Sequence, residues 1–150
     1  MTRNKDVDIF VARAWHEGEL LPGYVWDDLG YFCYKGNMIS KPLTRCQILV
    51  SHQVGFAEPY QCEPKDCLPV GCDAGKKHLY MGIFLVNGVQ LCGEVRDGVC
   101  NIAGRNGRVW TEPNYFWIVT RLWEPFWDNP TNGPPILQCG KLYRQKKPSS

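Results

Sequence analysis

Long apolar runs are missing from this 150-residue chain: none approaches the length of about 20 residues that takes a helix across a bilayer. Charge of one sign is missing too. Seventeen Lys and Arg against 15 Asp and Glu leave a formal +2, too little to argue for nucleic acid or an anionic membrane. The one basic cluster, Arg144, Gln145, Lys146 and Lys147, sits in a terminal tail and reads as solvated chain. Histidine is scarce: His16, His52 and His78 stand apart, without the close pairs that structural zinc sites use. No helical periodicity lasts beyond about two turns. The opening Met1–Asp6 is polar and carries no signal-peptide pattern. Catalysis has no constellation either, since neither His16 nor His52 comes with a serine or cysteine motif. The chain reads as a non-enzyme with no cofactor.

Cysteine, by contrast, is abundant, with eight residues at 33, 46, 62, 67, 72, 92, 100 and 139. An even count at this density points to an oxidising compartment and largely bridged cysteines, hence a secreted protein. Free buried thiols and a metal site built on Cys62, Cys67 and Cys72 are the alternatives. Fifteen glycines and 11 prolines punctuate the chain throughout and leave little room for long helices. Between them lie short runs rich in β-branched and aromatic residues, at 8–14, 30–34, 46–50, 78–85, 99–103 and 115–123. Such spacing predicts an all-β fold of antiparallel sheets. Asn87-Gly88 between two such runs is a strong hairpin signal, and Glu17-Gly18 occupies the same place earlier.

The earlier and later segments are copies. Ile9–Ala12 matches Leu79–Gly82, and Gly18, Leu21 and Gly23 match Gly88, Leu91 and Gly93. Gly30 then lies against Gly98, Gly36 against Gly104, and residues 46–50 against 115–119. Residues 60–72 align with 127–139, which sets Cys72 opposite Cys139. The expectation is one domain over 1–150 built of two intertwined repeats, 8–59 plus 127–143 and 60–126, with pseudo-twofold symmetry. Residues 136–143 should then pair with the strand at 8–14 and tie the chain ends into one core. Of six tryptophans, Trp117, Trp123 and Trp127 read as core, while Trp15, Trp26 and Trp110 sit beside charged or turn residues and read as partly exposed.

Phe10-Val11-Ala12-Arg13-Ala14, His16-Glu17-Gly18 and Pro22-Gly23 resemble the DM9 repeat, whose pattern runs through a strand like Tyr-Val-Gly-Arg-Ala, then His-x-Gly and Pro-Gly-Lys. Gly71-Cys72-Asp73, Leu79–Gly82 and Gly93 match more loosely in the second copy. The resemblance implies a compact, often dimeric all-β protein. Some members are mannose-binding lectins of innate immunity, and a DM9-like module also accompanies a pore-forming domain in fish toxins. The lectins hold sugar with an acid from Gly-x-Asp, the lysine of Pro-Gly-Lys and a Glu-His pair.

At those positions the chain departs from the pattern. Tyr24 and Glu94 replace the lysines, and Asn37-Met38-Ile39 and Arg105-Asn106-Gly107 replace Lys-Glu-His. Only Asp73 keeps the acid of Gly-x-Asp. If the family geometry holds, Asp73, Glu94, Arg105 and Asn106 converge in the second copy, and Tyr24, Trp26, Lys35, Asn37 and Lys141 gather in the first. Carboxylates, amides and a guanidinium are good partners for sugar hydroxyls. The expected function is carbohydrate binding with altered ligand residues, glycans of mannose type being the expected partners and a homodimer the expected assembly. The rival is a disulfide-hardened structural, adhesive or toxin-associated protein that uses the repeat only as a scaffold.

Overall fold

The computed structural model describes residues 8–50, 54–58, 67–121, 126–128 and 141–144. Fourteen strands account for most of them. The first group is β1 (Asp8–His16), β2 (Glu19–Trp26), β3 (Leu29–Tyr34), β4 (Asn37–Pro42), β5 (Gln47–Val50) and β6 (Val54–Ala57). A short β7 (Pro69–Cys72) leads to β8 (His78–Val86), β9 (Val89–Arg96), β10 (Val99–Ala103), β11 (Val109–Glu112) and β12 (Trp117–Arg121). Finally come β13 (Phe126–Asp128) and β14 (Lys141–Arg144). Among the described residues there is no α-helix, only a 3-10 turn at Leu43–Arg45. All pairings are antiparallel, as the glycine-punctuated apolar runs predict.

One pairing plan occurs twice. β1 pairs with β2 and β5, β2 with β3, and β3 with β4. Likewise β8 pairs with β9 and β12, β9 with β10, and β10 with β11. The leading hairpins turn through Glu17-Gly18 and Asn87-Gly88, all four residues at positive φ. That is the two-residue geometry whose twist matches the flanking strands. β7 joins the halves, pairing with β8 and, at Leu20–Cys72, with β2. β14 pairs with the start of β1, Ile9 opposite Tyr143 and Phe10 opposite Lys141. Residues 136–140, Cys62, Cys139 and Trp123 lie outside the described residues.

The ladders correct the sequence alignment in two places. Ala12 faces Gly23 and Ile48, while Gly82 faces Gly93 and Ile118, so the copies keep a constant offset of 70. Gly30, opposite Val25, therefore shares its rung with Cys100, opposite Val95, and not with Gly98. Cys46 corresponds to Phe116 rather than to Tyr115. A slip of one residue in a strand reverses which side chains face the core. Trp117, read as core from its apolar surroundings in sequence, faces outward. It is 46% exposed. Trp15 is exposed, and Trp26 and Trp110 half-buried, as their neighbours in sequence suggest.

Both faces of β1 are buried. Ile9 and Val11 join a large core shared with Met81, Ile83, Cys92 and Ile102, whereas Phe10, Ala12 and Ala14 pack with Leu21, Phe32 and Ile48. The cysteines belong to this packing. Cys33, Cys46, Cys72, Cys92 and Cys100 carry free thiols, which corrects the expectation of a chain held largely by bridges. Cys46 Sγ and the Phe32 ring occupy the space above Gly30, and Cys100 Sγ and Phe116 that above Gly82. A buried thiol acts as a small apolar group, and here it fills the volume that a glycine leaves open.

Candidate functional site

Tyr24 and Glu94, which stand where the resemblance places a lysine, hold the same rung of their copies, opposite Tyr31 and Asn101. Both point inward. Tyr24 is fully buried, stacked on Tyr31 with ring centroids 5.3 Å apart, and its hydroxyl donates to the Ala103 carbonyl at 2.5 Å. Burial pushes its phenol well above the ordinary range. The ring is thus a core group and not a sugar platform, which corrects its assignment to a first-copy site.

Glu94 is 3% exposed and fully engaged. Arg96 donates to it through Nη2 at 2.9 Å and Nε at 3.3 Å, and Asn101 Nδ2 donates at 3.1 Å. Arg96 also reaches across to Glu19 at 2.7 Å, and Thr111 donates to Asn101 at 3.0 Å. The hydrogen bond to Glu94 raises the Arg96 guanidinium above its ordinary value, burial opposing and Glu19 adding to it. Burial, with Glu94 second, lifts the neighbouring Cys33 thiol to about 11. A carboxylate so satisfied is structural.

The open space lies on the other side. A cleft of about 200 Å3 is walled by Trp26 of β2, the end of the β8–β9 hairpin at Asn87, and the 104–108 loop with Trp110 of β11. The Arg105 guanidinium lies 4.2 Å over the Trp26 ring, and Arg108 lies 4.4 Å over Trp110. Asn106 Oδ1 accepts the Arg108 N–H at 3.0 Å, and Gly104 N donates to Arg108 O at 2.6 Å. Gly107 turns the loop at φ 93. At the corresponding place in the first copy the turn is only Lys35-Gly36, His16 packs edge-on against Tyr34 at 4.6 Å, and Arg96 takes the position of Trp26. One position is closed by an ion-pair network; its counterpart is open.

The predicted site residues therefore separate. Arg105 and Asn106 share the cleft, and Glu94 sits in its own network. Asp73 closes the β7–β8 turn, its Oδ1 accepting Lys77 N at 2.8 Å and its N–H donating to Lys77 O at 2.9 Å. Asn37 is exposed at the β3–β4 turn, with Nδ2 donating to Lys35 O at 3.3 Å. Lys141 stands on β14 opposite Phe10. Trp26, read as part of a first-copy site, instead completes the wall opposite the second-copy loop.

A family model for the DM9 repeat matches residues 4–110. The chain belongs to the DM9 repeat family. The match takes in both leading hairpins and every cleft residue named above, so this DM9 protein carries the cleft within its family-defining part. No curated protein matches it in sequence.

Proposed function

We propose that this DM9 protein binds carbohydrate in the cleft between Trp26, Arg105, Asn106 and Trp110. The observation that carries the reading is the Arg105 guanidinium stacked on the Trp26 indole at a small opening that Asn87, Asn106 and Trp110 also line. The stack fixes a forked donor that would otherwise be mobile, and arginine so held presents planar N–H groups in set directions. Among the described residues no Asp or Glu lines the cleft. A ligand there supplies acceptors, as the vicinal hydroxyl and ring oxygens of a mannose-type hexose do. The volume lies below the range of about 300–1,000 Å3 typical of drug-sized pockets, which suits a single ring.

A second reading, a scaffold without a sugar ligand, draws support from the inward turn of Tyr24 and Glu94. The two are separated by a glycan array on the full chain. Binding predicts hits that free sugar competes away and that Arg105→Ala weakens by more than about tenfold, the loss of one charge-assisted hydrogen bond. No competable hit, or an unchanged profile for Arg105→Ala, favours the scaffold. Secretion is a separate proposal on which the site does not depend.

A further inference from the structure

A second and larger cleft, of about 460 Å3, lies away from the first, between β6, β8, β11 and β12. Its walls are Glu58, Phe84, Leu85, Glu112, Tyr115 and Trp117. Register explains how they meet. Trp117 pairs with Ile83 of β8, and Ile118 pairs with Ala57 of β6, which brings Glu58 to the same end as Trp117. The Glu112 carboxylate accepts the N–H groups of Asn114 and Tyr115 at 3.1 and 3.0 Å and so fixes the turn that presents Tyr115. Large apolar side chains are nevertheless left in water: Tyr115 is 83% exposed and Leu85 64%.

The charge is one-sided. Among the described residues no Lys, Arg or His lines this cleft, and neither Glu58 nor Glu112 has an ion-pair partner. Two carboxylates among Trp, Tyr and Phe side chains are a setting attractive to a large, weakly hydrated cation. A divalent metal is a poorer match, since hard cations take six or more oxygen ligands and most of this wall is hydrocarbon. We propose that the cleft is a binding site for a small organic cation bearing a quaternary ammonium group. The methyl groups of such a cation lie against Trp117, Tyr115 and Phe84, and its charge is met by Glu58 and Glu112. The inference is independent of carbohydrate binding at the first cleft.

The test is a titration of the full chain with choline and with its neutral isostere 3,3-dimethylbutan-1-ol, followed by tryptophan fluorescence and calorimetry. Choline should bind saturably and about tenfold or more tighter than the alcohol, a gap within the range of cation–π plus carboxylate attraction. Glu112→Gln keeps an acceptor for the two N–H groups and removes only charge; Tyr115→Ala removes an exposed ring. Both should melt as the parent does and bind choline several-fold more weakly. Equal binding of the alcohol would reduce the cleft to an apolar groove, and the proposal fails. It fails equally if choline shows no saturable binding or if both variants bind it as the parent does.

Discussion

Arg96→Met isolates the energetics of the closed half of the molecule. The substitution keeps the side chain's length and its apolar stem but removes three hydrogen bonds, two to Glu94 and one to Glu19. It strands a carboxylate whose side chain is 5% exposed. Breaking a buried ion pair by deleting one partner costs about 3–5 kcal/mol. Arg96 itself is 29% exposed, so solvent already screens part of the network and the low end, about 3 kcal/mol, is expected. For a chain of this size that corresponds to a fall in melting temperature of about 6–12 °C. Glu94→Gln should cost less, about 1–2 kcal/mol, because Asn101 keeps an acceptor and Arg96 keeps Glu19. Urea unfolding at neutral pH measures both quantities. A cost for Arg96→Met below about 1 kcal/mol, or below that of Glu94→Gln, would show that the network is not the closed unit described.

Denatured but unreduced protein should titrate at least five thiols, Cys33, Cys46, Cys72, Cys92 and Cys100; two or fewer would restore the disulfide framework. Burial raises the Cys33 and Cys46 thiols from 9.0 to about 11. Raised folded values mean that their contribution is complete below about pH 9 and is lost as pH climbs towards 11, so the urea midpoint should fall across that window and not below it. Asp73→Ala should lower stability by about 1 kcal/mol through the lost bond to Lys77 N and leave glycan binding unchanged, which array and melting curves check together.

Sequence alone went far with the fold because its signals are local. Positive-φ pairs such as Asn87-Gly88 and short β-branched runs dictate hairpins whatever lies across the core. The site was less legible. Tyr24 and Glu94 are polar and stand where a family lysine is expected, yet both turn inward, Tyr24 to the Ala103 carbonyl and Glu94 to Arg96 and to Asn101 across its rung, with Glu19 on Arg96 in turn. Nothing in a linear reading shows that Tyr24 meets a carbonyl 79 residues away. The cleft's origin did leave a trace: the β10–β11 connection spans 104–108 where β3–β4 spans two residues. Aligning Gly36 with Gly104 hid that difference. The cysteines misled because an even count says nothing about whether thiols lie near one another, and two of them, Cys46 and Cys100, fill space above Gly30 and Gly82.

The most direct test is a proton–nitrogen NMR titration read at the six tryptophan indole N–H signals, assigned by single Trp→Phe variants, with the best glycan from the array added stepwise. Binding in the proposed cleft predicts saturable shifts at Trp26 and Trp110, and little change at Trp15 and Trp117. Shifts confined to Trp117 or Trp15, or none at saturating sugar, would contradict it.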